Sequence, residues 1–547
     1  MRPAACRGAR YRPSRGWGPA GRGAPINGAR YRPSRGWGPA GRGAPKELLK
    51  RLPVVGVLVV LFLAVLAGAL AWRSRGWPLI HDAPLMHYIA WRIGEGAVPY
   101  RDLFDMNFPG VYLLHMVVLK VFGSSDAGWR AFDLIWLTAT SLAAAALAAP
   151  WGRLAAAGAG LFFAVYHLAA GAWQTGQRDF LLCPFLLLAA LGVARWAERP
   201  GRPASLAWGG LAVGAGITIK PHAGLFAAAL VVLVAIVARG AGRVNSRLAS
   251  DGGVPAPGRL AARTAAVFVA AIVAPSLAVV AWLAVAGALP AWYEIVVGYL
   301  VPLYSRLGRP GHWTFYRWHV WIPIAAGVML SLASALVSRR FGARHAVVTL
   351  GVGYGVAHFF GQGKGWEYHL YPLAAFAAVA LFAETQRLLE AGRVAAFPLA
   401  ACIVAAGIML GIKGVEAADA GWIADKERRV SAIVADLDGR IGPEDFVQVL
   451  DTTDAGVHAL LRLRAVEPTR FIYDFHFYHD RETRMVGRLR KEFLGGFDAH
   501  PPKFVVLLEP GWPAGGYERV DEFAGLRARL LAYKVDRRGD GYIVYAR

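Results

Sequence analysis

The chain has 547 residues, of which 56% are hydrophobic and only 18% are charged. A soluble protein normally carries about a quarter charged residues, so this composition argues against one. Apolar runs recur from Leu52 to Met409 and are separated by short polar loops. Because a helix needs about 20 residues to cross the hydrocarbon of a bilayer, the sequence predicts a polytopic α-helical membrane protein.

The formal net charge of +24 is concentrated at the N-terminus. Residues 1–51 hold thirteen Lys and Arg against the single acid Glu47, and the segment GARYRPSRGWGPAGRGAP occurs twice, at 8–25 and at 28–45. No apolar pattern in this tail could build a core, so we expect it to be disordered. Nucleic-acid binding is one interpretation of such a tail. We favour a basic cytoplasmic anchor and expect no nucleic-acid partner.

The cysteines argue against a disulfide-stabilised or metal-binding protein, and the first apolar segment argues against a cleaved signal peptide. Cys6, Cys183 and Cys402 provide neither a disulfide framework nor the spacing of metal ligands. The segment 53–72 is too long for a signal peptide and follows a long basic tail, so we predict that it is a retained span.

The distribution of basic residues decides how many apolar runs cross the membrane. Eleven runs are candidates, and the segment 108–122, FPGVYLLHMVVLKVF, is an ambiguous twelfth. With eleven spans, the loops after residue 150 carry fourteen Lys and Arg on the side of the basic tail and six on the opposite side. Basic loops favour the cytoplasm, so we predict that 108–122 lies along the outer membrane surface, with the N-terminus inside and the C-terminus outside. The predicted spans are 53–72, 129–149, 154–172, 179–197, 204–219, 222–239, 264–286, 319–338, 345–361, 370–385 and 394–412.

This topology places a long loop and a C-terminal domain outside the cytoplasm. The loop 73–128 follows the first span within the transmembrane domain 52–412, and its segment 83–94 has the apolar spacing of an interfacial helix. Residues 413–547 are polar and alternate strand and helix patterns, which predicts a small α/β domain with a mainly parallel sheet. It has no glycine-rich phosphate loop, so we expect it to pack or to bind an acceptor. The predicted strands are FVQVLDT (446–452), FIYDF (471–475), KFVVLLEP (503–510) and YIVYAR (542–547), with helices in DAGVHALLRLRA and VDEFAGLRARLLA.

Ionisable residues cluster on the outer side of this topology, where a functional site is the default interpretation. Cations there could hold a lipid phosphate, and a carboxylate could take the proton of an attacking hydroxyl. Each residue also has a plainer interpretation: Asp82 could cap a helix, Asp102 and Asp105 could be turn residues, and Lys220 could reach to the interface. The candidates are Asp82, Asp102, Asp105, Asp179, Lys220, Lys364, Glu367 and His369.

Four segments resemble the GT-C superfamily of membrane glycosyltransferases, in the group of the dolichyl-phosphate-mannose protein mannosyltransferases and the bacterial aminoarabinose transferases. Asp82 followed by AWRIGEGAVPYRDLFDMNFPGVYLL is similar to the first outer loop of that group. GLAVGAGITIKPHAG and QGKGWEYHLYPL are similar to two later motifs, and GQRDFLL to the second outer loop. The chain departs from the pattern at Ala83, where the family has Glu, and at Asn107-Phe108, where it has Lys before a proline pair.

The resemblance implies a transferase that takes a sugar from a polyprenyl phosphate and passes it to a lipid, glycan or protein acceptor. It implies that Asp82 and Asp179 are catalytic, with Asp82 as general base or orienting group. It places Asp102, Asp105, Asn107, Lys220, Lys364 and His369 among the substrate-binding residues. Whether Asp82 and Asp179 hold a divalent metal, Mg²⁺ or Mn²⁺, is left open at this point. The implied location is the bacterial cytoplasmic membrane, with membrane lipids as surroundings.

Two other function classes remain as alternatives. A transporter or lipid flippase often shows internal repeats and polar residues near the bilayer midplane. This chain shows no repeat between its halves, and its ionisable residues gather at one surface. A non-catalytic envelope assembly protein is the other alternative.

The predicted topology can be tested with single cysteines placed at Gly123 and at Arg340. Gly123 lies in the outer loop and Arg340 in a cytoplasmic loop, so a membrane-impermeant thiol reagent applied to intact cells should label only the first. If both positions label from the same side, the eleven-span topology is wrong.

Overall fold

The computed structural model describes residues 46–199, 203–248, 257–307, 318–339, 341–418 and 421–547. Within them, residues from Glu47 onward form one compact unit. The duplicated part of the predicted tail lies outside the described residues. The helices of the first three quarters of the chain are α1 (Lys46–Arg73), α2 (Asp82–Gly94), α3 (Pro109–Phe122), α4 (Asp126–Ala148), α5 (Arg153–Ala170), α6 (Arg178–Glu198), α7 (Ala204–Ile219), α8 (Ala223–Leu248), α9 (Pro257–Val285), α10 (Leu289–Tyr293), α11 (Trp321–Val337), α12 (Ala343–Gln362), α13 (Tyr371–Glu390) and α14 (Ala396–Ala418).

All eleven predicted spans fall on helices. Among the described residues, eight segments are long and apolar enough to cross a membrane: they correspond to α1, α4, α5, α6, α8, α9, α13 and α14. The helices α7 and α11 are shorter apolar helices of 16 and 17 residues. The chain is a multi-pass membrane protein, and the number of eleven spans stays a prediction.

The helix α13 lies at the centre of the bundle. It packs against α4, α5, α6, α11, α12 and α14, and most of its side chains are buried. A helix that is apolar on all sides can be placed in this way, because it has no polar face that needs water. Small residues allow the surrounding helices to approach closely, as in many membrane bundles.

The helices α7 and α9 make one of these close approaches. A β-carbon added at Gly214 of α7 would lie 2.3 Å from the backbone oxygen of Ile272 in α9. Backbone atoms cannot rotate away as a side chain can, so the glycine sets the distance between the two helices.

The outer loop contains the two helices that the sequence predicts there. The helix α2 covers the predicted segment 83–94, and α3 begins with Pro109 at its first position, where a proline replaces an amide that would have no helical partner. At 14 residues, α3 is shorter than the roughly 20 residues of a spanning helix. Its position along the membrane surface stays a prediction.

The C-terminal region carries helices on a small sheet. Its helices are α15 (Gly421–Leu437), α16 (Gly456–Leu463), α17 (Arg484–Ala499) and α18 (Ala524–Leu530), and its strands are β1 (Val447–Leu450), β2 (Phe504–Leu508), β3 (Lys534–Gly539) and β4 (Tyr542–Ala546). The predicted boundary at 412/413 falls inside α14, and the division into domains stays a prediction.

Two predictions for this sheet are wrong. The strand order is β1-β2-β4-β3, and only β1 and β2 pair in parallel, so the sheet is mostly antiparallel. The strand β3 was missed because its sequence, KVDRRG, is largely exposed and shows no apolar alternation. It forms a hairpin with β4 through a turn at Gly541, whose φ of 78° favours glycine.

The segment 471–475 is not a strand. Phe475–Phe477 is a short 3-10 helix, and the polar side chains before it make contacts outside the sheet. The Tyr473 hydroxyl donates to Asp105 in the outer loop, and Asp474 pairs with Arg519. The Phe471 ring lies between Phe104 of the outer loop and Phe477 and Phe493 of the C-terminal region.

The contact between α7 and α9 gives a stability prediction. Gly214→Ala should destabilise the protein by about 1–3 kcal/mol, because the added methyl group overlaps a backbone oxygen. The measurement is the midpoint of thermal unfolding in detergent. The control is Gly353→Ala in α12, where an added β-carbon meets no atom within 4 Å and alanine favours the helix. Equal midpoints for the two variants would contradict the argument.

Candidate functional site

Asp82 is the first residue of α2, and its carboxylate is held from another part of the chain. Its Oδ2 accepts a hydrogen bond from Gln177 at 3.2 Å and lies 3.8 Å from the Arg178 guanidinium. The helix cap is His81, whose side chain makes no capping hydrogen bond. Burial opposes ionisation, but His81, Arg178 and the Gln177 amide together hold the pKa of Asp82 below its usual value. Asp82 is therefore ionised at neutral pH and able to accept a proton.

The start of α6 directs two consecutive side chains to different partners. Arg178 and Asp179 are the first two residues of α6, and successive helical side chains point about 100° apart. Arg178 faces Asp82, whereas Asp179 is fully buried and faces Lys220 and His358. A carboxylate in the first helical turn is also favoured by the helix dipole.

Asp179 is the centre of a buried three-residue cluster. Its Oδ2 accepts from the Lys220 ammonium at 2.5 Å, and its Oδ1 contacts the imidazole of His358. Burial lowers the pKa of Lys220 to about 8, although the Asp179 carboxylate opposes this shift; Arg178 adds to it. The cluster joins the start of α6 to the ends of α7 and α12.

Lys220 is placed by the residue that follows it. Residues before a proline avoid the helical region, and Lys220, next to Pro221, has an extended backbone with φ of −146° and ends α7. The chain then turns into α8. The Lys220 side chain is thereby directed into the bundle and not along α7.

Lys364 is a nearly buried cation that is held by neutral groups. Its ammonium donates to the carbonyls of Tyr304, at 3.1 Å, and Leu307, at 2.7 Å, and lies 3.9 Å from the centre of the Tyr304 ring. Among the described residues it forms no ion pair. Burial, followed by the charges of Lys220 and Arg178, lowers the pKa of Lys364 to about 8.

His369 lies beside this group. Its ring is 6.1 Å from that of His358 and 5.7 Å from that of Trp366. It is almost fully buried, and its Nδ1 has no hydrogen-bond partner in the structure.

Asp105 and Asn107 form a second buried cluster. The Asp105 carboxylate accepts from the hydroxyls of Tyr112, in α3, and Tyr473, in the C-terminal region, and from the Asn107 amide at 2.8 Å. This cluster ties the outer loop to the C-terminal region, and Asp105 is close enough to interact electrostatically with Arg178.

Asp102 stands apart from both clusters. Its oxygens accept from Arg101 and from the amide of Val98, at distances of 2.7 to 2.9 Å, in a partly exposed turn. These contacts are those of a turn residue.

Glu367 pairs with Lys413 of α14, and the other sequence candidates except Asp102 fall into one neighbourhood. Lys220 interacts electrostatically with Asp82, Arg178 and Asp179, and Lys364 interacts with Lys220 and Arg178. His369 borders this group through His358, Asp105 and Asn107 border it through Arg178, and Asp102 is separate. The result is a carboxylate that can accept a proton, surrounded by several cations.

The arrangement does not fit a metal ion between Asp82 and Asp179. Both Asp179 oxygens are already engaged, by Lys220 and His358, and Asp82 lies beside a guanidinium. Within the described part of the chain, no group of three or more His, Cys, Asp or Glu could hold an ion.

Four residues of the site were not among the sequence candidates: His81, Gln177, Arg178 and His358. Gln177 and Arg178 directly precede Asp179 in the second outer loop. The charge of Arg178 and the position of both residues could have identified them as candidates. His358 lies near the outer end of a predicted span, and its place on that boundary was the available signal.

Removing one member of the buried ion pair should destabilise the protein. Lys220→Met leaves the Asp179 carboxylate buried with only His358, and the expected cost is about 3–5 kcal/mol. The double variant Lys220→Met/Asp179→Asn should recover most of the loss in thermal unfolding. Arg101→Met, in an exposed pair, is the control and should change stability by less than about 1 kcal/mol. A double variant as unstable as Lys220→Met would show that the pair is not the cause.

Comparisons with known proteins agree with this fold. Residues 108–254 match the family model described as dolichyl-phosphate-mannose-protein mannosyltransferase. ArnT from Cupriavidus metallidurans, solved with undecaprenyl phosphate bound, is similar with a TM-score of 0.57 and 16% identity, over 89% of this chain and 98% of that chain. At such identity the likeness shows the fold alone.

A weaker likeness links the chain to the oligosaccharyltransferase of Archaeoglobus fulgidus, solved with Zn and sulfate. Its TM-score is 0.47 at 12% identity, over 83% of this chain and 68% of that chain. This TM-score is too low to support a conclusion about the present chain. No curated protein matches the sequence. The chain therefore resembles the mannosyltransferase family over residues 108–254 and shares its overall fold with ArnT.

Proposed function

We propose that the protein is an inverting glycosyltransferase that moves a sugar from a polyprenyl-phosphate donor to an acceptor hydroxyl. The observation that carries the proposal is the position of the ionised Asp82 among Arg178, Lys220 and Lys364. These residues come from four separate segments of the chain. A carboxylate and several cations at one site are the groups that such a transfer requires.

Asp82 is the general base of the proposed reaction. It accepts the proton of the acceptor hydroxyl as that oxygen attacks the anomeric carbon of the donor. The bond between the anomeric carbon and the phosphate oxygen breaks, and the polyprenyl phosphate leaves with the bonding electrons. Attack from the face opposite the phosphate inverts the configuration of the sugar.

The cations bind the phosphate and stabilise the charge that grows on it. Lys364 supports this role best, because it is buried without an ion-pair partner among the described residues. Bringing a phosphate beside it would supply the missing counter-charge. Lys220 is already paired with Asp179 and contributes from the neighbouring position. Asp179 then keeps Lys220 in place without reacting itself, which revises its proposed catalytic role to a positioning one.

The donor and the location follow from the same reasoning. The similar ArnT structure contains undecaprenyl phosphate, which supports a polyprenyl carrier here. The bias of basic residues towards the loops that are predicted to be cytoplasmic supports a site on the outer face of a bacterial cytoplasmic membrane. The transferred group is a hexose or pentose, and the acceptor is a lipid, a glycan or a protein.

Asp82→Asn tests the proposal directly. The amide has nearly the same shape but cannot take a proton, so transfer should fall about 100-fold or more while the protein still inserts and accumulates normally. The measurement is sugar transfer by purified protein in detergent, with a panel of undecaprenyl-phosphate-linked sugars.

The matched control is Glu95→Gln at the other end of α2, which removes the same charge from an exposed position. It should keep full activity. An Asp82→Asn variant with normal transfer would reject Asp82 as the base. A protein that moves a lipid-linked sugar across the membrane without cleaving it would support the transporter alternative.

A further inference from the structure

His81, the residue before Asp82, has an unfavourable backbone conformation. Its φ is 62° and its ψ is −118°, in the half of conformational space that favours glycine. A residue with a β-carbon stays in such a conformation only where its surroundings enforce it, and such positions concentrate at functional sites. Histidine occupies this position despite the cost of its backbone conformation, so its side chain should do something that glycine cannot.

The imidazole of His81 is fixed by a tryptophan. Its ring lies 3.7 Å from that of Trp173, with an angle of 30° between the planes. Trp173 belongs to the short 3-10 helix Ala172–Gln174, in the same loop that supplies Gln177 and Arg178 to Asp82. One loop therefore holds both the Asp82 carboxylate and the ring beside it.

The two oxygens of Asp82 have different surroundings. Oδ2 is held by Gln177 and Arg178, as described above. Within the described part of the chain, Oδ1 accepts no hydrogen bond, and the Nε2 of His81 lies 3.5 Å from it. Burial lowers the pKa of His81 to about 4, so the imidazole is uncharged at neutral pH and does not form a full ion pair that would hold Oδ1. Oδ1 is thus the oxygen that is free to take a proton.

We propose that His81 is a positioning residue: its ring, held on Trp173 by a strained backbone, directs Oδ1 of Asp82 towards the acceptor hydroxyl. The inference rests on the proposed role of Asp82 as general base. It also explains why Oδ2 of Asp82 is held by hydrogen bonding and charge while Oδ1 stays available to accept a proton.

The variant His81→Gly distinguishes the effect of the imidazole ring from that of the backbone conformation, because it removes only the ring. Glycine adopts a positive φ without strain, so the melting temperature should stay the same or rise. The kcat for sugar transfer should fall at least tenfold, while KM for the donor changes less than twofold. Binding of undecaprenyl phosphate, followed by tryptophan fluorescence, should be unchanged.

The pH profile provides a readout that a purely structural role would not change. Below about pH 4 His81 is protonated, and its charge then favours the ionised form of Asp82. Without His81 the pKa of Asp82 therefore rises, and the acidic limb of kcat/KM moves to higher pH. The other groups that interact with Asp82 remain in place: Arg178 and Gln177 from the loop and α6, Lys220 after α7, Lys426 from α15, and the hydroxyls of Tyr304 and Tyr368.

Two further variants complete the experiment. Arg339→Gly is the matched control, because Arg339 also has a positive φ, of 53°, but is exposed at the end of α11; its kcat should be that of the wild type. His81→Gln should recover part of the kcat, because its amide can donate a hydrogen bond to Oδ1.

The outcomes distinguish this inference from the proposed function. A stable His81→Gly protein with wild-type kcat overturns the positioning role, while an inactive Asp82→Asn protein still supports the base. A His81→Gly protein that melts early, with no shift of the acidic limb and no rescue by Gln, shows a structural residue and also overturns the inference. Full activity of Asp82→Asn removes the basis of both.

Discussion

The pairing of buried charges at the outer ends of the helices is the constraint on which the site depends. A carboxylate such as Asp179 cannot remain ionised away from water unless its partners are close and well oriented. Lys220 and His358 provide those partners from two other helices. The same contacts that make the burial tolerable also define where α6, α7 and α12 end relative to one another.

This constraint accounts for the different surroundings of Asp82 and Asp179, to which we assign a proposed catalytic and a proposed positioning role. Asp179 has both oxygens engaged and is fully buried, whereas Asp82 is partly exposed and has one oxygen that accepts no hydrogen bond from the described residues. Arg178 connects the two, because it is adjacent to one in sequence and faces the other in space. The buried pair of Lys220 and Asp179 thus supports the more accessible carboxylate of Asp82, as expected for a site whose geometry is set before the substrate binds.

Much of the architecture could be predicted because bilayers impose strict lengths and compositions. Every predicted span falls on a helix, and so do both interfacial segments. The sheet was less predictable: β3 is exposed and charged, and 471–475 has a strand-like composition but contacts the outer loop. Of the site, Asp82, Asp179, Lys220 and Lys364 could be found from their charge at the outer boundary. His81 could not, because its importance comes from a backbone angle, and His358 offered only its position near the end of a predicted span, since its contacts join distant helices.

The bond between Tyr473 and Asp105 joins residues that are 368 positions apart in the chain. Chains are synthesised at about 5–20 residues per second, so roughly 20–70 seconds pass between the appearance of the carboxylate and that of its tyrosine partner. During that interval the Asp105 carboxylate lacks this partner, and the loop that carries it cannot yet make this contact with the C-terminal region. The contact therefore forms late in biosynthesis, after the helices α1 to α14 have all been synthesised.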